Sequence, residues 1–92
     1  MVKQKIKQLF NTNTILHIDN PNHYDIIMPF TTLTKCSKNH YVFKGDFCIN
    51  FDSNSNTYAT LDFYKEENPW CKFKFITSTE LIEKNNIIEL WD

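Results

Sequence analysis

Cys36 and His40 stand four residues apart, and Cys48, Cys71, His17 and His23 are spread along the rest of the chain. Thiolate and imidazole are the ligands zinc favours, and a thiol beside an imidazole is a pair from which a nucleophile can be activated. The spacing supports neither. Structural zinc sites draw paired ligands from tight knuckles such as Cys-x2-Cys, and Cys36, Cys48 and Cys71 are isolated from one another. For hydrolysis, His17, His23 and His40 could act as bases with Asp19, Asp25, Asp46, Asp52 or Asp62 as partners. In a chain with six Asp such neighbours arise by chance. There is no nucleophile elbow, and a single glycine, Gly45, excludes a Gly-rich phosphate cradle. The expectation is therefore no catalytic residue, no metal site and no cofactor: a non-enzymatic protein.

The positions of these residues depend on the elements that carry them. Val2, Ile6, Leu9 and Phe10 recur at helical spacing among lysines and glutamines, predicting an amino-terminal helix that stops near Asn11 to Asn13. Thr14 to Ile18 is β-branched and short. Asp19-Asn20-Pro21-Asn22 then reads as a turn and Tyr24 to Met28 as a second strand, so a hairpin is predicted. Residues 31–39 read as a connection or a ragged edge strand.

From His40 to Ile76 the pattern predicts three antiparallel strands. Gly45-Asp46 suits a two-residue hairpin turn, placing Val42 opposite Ile49 and His40 opposite Phe51. Asp52 to Asn56 reads as a five-residue loop, which sets Ile49 against Ala59 and Phe47 against Leu61. Lys65 to Pro69 reads as the next turn, pairing Tyr64 with Trp70, Asp62 with Lys72 and Leu61 with Phe73. Alternation then collects Phe47, Ile49, Phe51, Ala59, Leu61, Phe63, Cys71, Phe73 and Phe75 on a core face. Cys48, Asn50, Tyr58, Thr60, Asp62, Tyr64, Trp70, Lys72, Lys74 and Ile76 fall on the other. Past the sheet, Thr77 and Glu80 have capping-box spacing and open a short helix with Leu81 and Ile82 inward; Asn85-Asn86 closes it, and 87–91 reads as a last strand in preference to a second helical stretch.

The predicted fold is thus a single α+β domain over residues 1–92: an antiparallel β-meander of about five to seven strands with an amino-terminal helix and a short carboxy-terminal helix. Eight Phe and ten Ile supply its core. A net charge of −1, with lysines and acids interspersed, gives no basic field for general nucleic-acid coating. An odd count of three cysteines, no apolar stretch long enough to span a bilayer and no apolar leader predict reduced thiols in a cytoplasmic setting without membrane contact. Eleven Asn, ten Lys and no Arg point to an AT-rich genome, as in many low-GC bacteria, their phages and plasmids, or some eukaryotic parasites and viruses; this bears on source and not on function.

Function is then expected on the second sheet face, provided it is exposed; the alternative is that a terminal helix or the first hairpin packs on it and the sheet is covered on both sides. Tyr58, Tyr64 and Trp70 would anchor a protein partner, since aromatics bury much area at low entropy cost, with Lys72 and Lys74 setting electrostatic register. The expected role is an inhibitor that occludes a functional surface of a host or defence protein. The alternative is a module that stacks single-stranded nucleic acid on the same aromatic and lysine side chains.

Overall fold

The computed structural model describes residues 2–33, 45–52 and 56–83. His40, Cys36, Val42 and the predicted strand over 87–91 lie outside the described residues. A four-stranded mixed sheet runs β3-β2-β1-β4. Its strands are β1 (Thr14–Ile18), β2 (Phe47–Asn50), β3 (Thr57–Thr60) and β4 (Lys74–Thr77). The α+β class agrees with the sequence, but a purely antiparallel meander does not: β1 pairs antiparallel with β2 and parallel with β4.

Helix α1 (Val2–Lys7) ends short of the expected stop near Asn11; turns carry the chain on through Asn11 and Asn13, both in the left-handed conformation that asparagine tolerates. The predicted second strand over Tyr24 to Met28 is instead helical. The Asn20 side chain accepts from Asn22 N (3.0 Å) and Pro21 fills the first position of a 3-10 turn, Pro21–His23. That start feeds α2 (Tyr24–Ile27) and a second 3-10 turn, Met28–Phe30. Proline with its φ preset after a capping asparagine is a helix entry as much as a turn. Tyr24 and Ile27 are buried three residues apart while Asp25 and Ile26 face out, which is helical rather than strand spacing.

The β2–β3 hairpin forms one residue away from its predicted register: Phe47 opposes Thr60 and Ile49 opposes Tyr58. The loop is six residues, 51–56, rather than five. Asn56 is held within it by a reciprocal pair with Thr32, accepting from Thr32 N (3.0 Å) and donating its own N–H to Thr32 Oγ1 (2.7 Å). The slip exchanges the faces of β3.

The largest departure lies between β3 and β4, where the predicted turn and strands are one helix, α3 (Leu61–Cys71). Thr60 Oγ1 caps it by accepting from Phe63 N (3.1 Å), Asp62 complements the helix dipole in the first turn, and Lys65-Glu66-Glu67 are strong helix formers. Pro69 sits in the last turn, where its missing N–H costs one intrahelical bond. Lys72 closes the helix at φ 54°, donating to Asn68 O (2.7 Å), and Asn13 Nδ2 donates to the Cys71 and Lys72 carbonyls. The pairings of Tyr64 with Trp70, Asp62 with Lys72 and Leu61 with Phe73 therefore do not exist. α3 instead carries the chain from β3 at one edge to β4 at the other, the crossover that a parallel β1–β4 pair requires.

Both sheet faces are covered. On one, Leu16, Ile18, Phe47 and Ile49 pack with Ile6 and Leu9 from the α1 segment, Tyr24 and Ile27 from α2, and Leu81 from α4 (Ser78–Glu83). On the other, Ile15 and Cys48 meet Tyr64, with Ala59, Leu61 and Phe73 around them. Fully burying an aliphatic or aromatic side chain stabilises by about 1.5–3 kcal/mol, so β1, buried on both faces, is the axis of the domain. The capping box is present as expected: Glu80 N donates to Thr77 Oγ1 (3.1 Å) and Thr77 N to Glu80 Oε1 (3.4 Å). Lys5, itself buried, donates to Ile82 O (3.2 Å) and ties α1 to α4.

Candidate protein-binding surface

The structure separates the five residues expected on one face. Tyr64 is only 4% exposed, under α3, where burial raises its phenol above the usual range against the opposing Thr57 hydrogen bond. Tyr58 pairs with Ile49 on the opposite face of the sheet, its ring stacked on Phe47 at 5.4 Å. Trp70 is 86% exposed on α3. Lys72 follows it at the helix end and Lys74 opens β4 beside Thr14; both are exposed. The single aromatic and lysine sheet face is thus corrected: the sheet is covered there by α3, and the exterior is the helix itself.

On that exterior Phe63, Glu66, Glu67 and Trp70 fall at i, i+3, i+4 and i+7, one side of a helix. All four are exposed, Phe63 to 50%. Strand alternation assigns Phe63 to the core; helical periodicity puts it outside. Between β3 and α3 runs a groove of about 500 Å³, with Phe63, Tyr64, Phe73, Glu67 and Cys71 along it and Thr57 to Ala59 forming its strand side. Tyr64 meets Phe63 and Phe73 edge to face at 5.4 and 5.5 Å, so the aromatic wall is locked by its own packing. A groove of similar size beside α1 carries Lys3 and Lys7 and, among the described residues, no acid, the opposite charge.

The candidate catalytic groups come together in one place that the sequence did not single out. Ser78 Oγ donates to Asp19 Oδ1 (2.8 Å), contacts His23 Nδ1 (2.8 Å) and accepts from Asp19 N (3.2 Å). His23 Nε2 faces Glu83 Oε2 at 3.1 Å. Because Ser78 gives its one proton to a carboxylate, which only accepts, the His23 ring nitrogen must donate to Ser78. Asp19 also accepts from Thr79 N (3.0 Å) and Thr79 Oγ1 (2.9 Å). Burial works to raise its carboxyl, but the bonds from Ser78 and Thr79 together hold it below the usual carboxylate value. Ser78 is fully buried and its hydroxyl is committed to Asp19, so the cluster locks α4 onto the end of β1 instead of presenting a nucleophile.

His17 donates from Nε2 to Gly45 O. Cys48 lies across from it, fully buried, and burial, helped by Asp46 and opposed by Lys65, pushes the thiol up to about 12. Cys48 does lie on the face opposite Phe47 and Ile49, as alternation predicts, but α3 covers that face; Cys71, expected on the core face, is exposed, and both are free thiols. Among the described residues no three His, Cys, Asp or Glu side chains are grouped to hold a metal ion, and no helix is long and apolar enough to cross a membrane. Comparison with protein-family models, with curated proteins and with solved structures finds no match to this chain.

Proposed function

We propose that this protein acts by binding another protein through the outer side of α3, with Trp70 as the anchor. The observation that carries the reading is Trp70 itself, 86% exposed on a helix whose neighbouring turns also leave Phe63 half exposed. Exposed tryptophan is costly in water and enriched among the residues that dominate interface energy. Lys72 at the helix end, and Lys74 beyond it, supply register, and Tyr64 supports α3 from its buried side, while Tyr58 turns its ring to the opposite sheet face. The mechanism is occlusion of the partner's surface; among the described residues the Ser78 hydroxyl and the Cys48 thiol are buried. An inhibitor encoded by a phage or mobile element and directed at a host or defence protein fits this mode, and the Asn- and Lys-rich, Arg-free composition supports that source. Single-stranded nucleic acid is disfavoured, since Asp62, Glu66 and Glu67 on α3 would repel phosphates.

The test compares partner capture and affinity for the native chain and for Trp70→Ala. As an exposed residue, Trp70→Ala should leave folding stability within about 0.5 kcal/mol, while an anchor role predicts a loss of roughly 2 kcal/mol or more in binding. Tyr64→Ala cannot serve here, because emptying a buried aromatic site costs about 3–5 kcal/mol of stability. A folded Trp70→Ala protein that binds its partner with unchanged affinity refutes the proposal.

A further inference from the structure

We propose that the groove between β3 and α3 is the seat for an arginine side chain of the partner, an inference that rests on the protein-binding reading above and specifies its chemistry. Among the nine described residues lining the groove, Glu67 is the single formally charged one, and it stands beside the rings of Phe63, Tyr64 and Phe73. A planar guanidinium is attracted to aromatic faces and pairs with a carboxylate, whereas an anion meets neither. The surrounding helix surface has the same sign: Asp62, Glu66 and Glu67 outnumber Lys65 on α3. The aromatic wall is already ordered by its edge-to-face contacts, so seating a side chain against it requires little rearrangement. Trp70, three residues beyond Glu67, extends the apolar contact past the groove to the residues flanking the arginine.

Cys71 supplies the readout, since it is exposed and lines the same groove. The probe is a blocked hexapeptide alternating arginine and leucine, applied to the full chain at low salt. Alkylation of Cys71 by iodoacetamide is followed by site-resolved mass spectrometry. At a probe concentration of about ten times its Kd, mass action predicts alkylation slowed about tenfold. The same peptide with citrulline in place of arginine keeps the shape, loses the charge and should not protect. Glu67→Gln should raise the half-protecting concentration about fivefold, the upper end for an exposed ion pair, and added salt should do the same. Glu67 is exposed, and circular dichroism confirms that the variant folds. Equal protection by the citrulline peptide, undiminished protection of Glu67→Gln, or no protection by the arginine peptide each overturns the assignment. Protection by tetramethylammonium where the peptide gives none also overturns it, in favour of a small ammonium ligand. These failures leave the docking reading standing, whereas unchanged partner affinity in Trp70→Ala removes the docking reading itself.

Discussion

Ser78→Ala tests the reading of the Asp19–Ser78–His23 cluster as a structural lock. The hydroxyl serves three groups: it donates to Asp19 Oδ1, accepts from Asp19 N and accepts from His23 Nδ1. Alanine leaves the Nδ1 donor of His23, itself buried, without its Ser78 partner. Asp19 is less affected, because Thr79 still donates to it twice. An abandoned buried polar group costs about 1–3 kcal/mol. The capping box of Thr77 and Glu80 is untouched, and alanine is a slightly better helix former than serine, so the change does not act through helix propensity. A loss of about 2 kcal/mol is expected, which for a domain of this size lowers Tm by roughly 8–16 °C.

Urea and thermal unfolding followed by circular dichroism measure that loss. Combining Ser78→Ala with Asp19→Asn in a double-mutant cycle should give a coupling of about 0.5 kcal/mol or more. The pH dependence supplies a second check. Asp19 titrates below its ordinary value when folded, so between the two values the unfolded chain holds more protons and stability rises with pH. The contribution is complete above about pH 4, near the unfolded value, and is lost as pH falls through the lower folded one. The difference between wild type and Ser78→Ala should therefore narrow in acid. A loss under about 0.5 kcal/mol at neutral pH, or no coupling to Asp19, refutes the lock.

Two further outcomes follow from the same coordinates. Native alkylation should modify Cys71 readily and leave Cys48 untouched until denaturant is added, because the thiolate reacts and Cys48 is buried with its thiol pushed up to about 12; rapid labelling of Cys48 in the folded protein would contradict its placement. Thr60→Val removes the side-chain acceptor for Phe63 N and should cost about 0.5–2 kcal/mol, measured by urea unfolding. If 60–64 were strand, as alternation suggested, the β-branched replacement would instead be neutral or stabilising.

The amino-acid sequence determined those elements whose local signals agree with one another. α1 has apolar residues at helical spacing and asparagines where it must stop. β1 is short and β-branched, and the helix beginning at Ser78 is announced by a capping box. The membership of Phe47, Ile49 and Phe51 in the core was legible for the same reason: β2 is apolar at each inward position. Tyr24 to Ile27 and Leu61 to Cys71 carry two patterns at once. Leu61 and Phe63 alternate with Asp62 and Tyr64, yet Leu61 and Tyr64 also lie one helical turn apart.

Only the tertiary structure decided between those patterns. Folded as a strand, 61–64 would hold Tyr64 on the solvent side of a sheet. As a helix, Leu61 and Tyr64 close over Ile15 and Cys48, which are more distant in sequence than any local window reaches. The same packing sends β4 to the far edge to pair with β1, which is settled by long-range burial and by the helical crossover a parallel pair demands. The surface followed from that choice. Trp70 was singled out by its residue type, but its companions Phe63, Glu66 and Glu67 share its face only because the segment is helical.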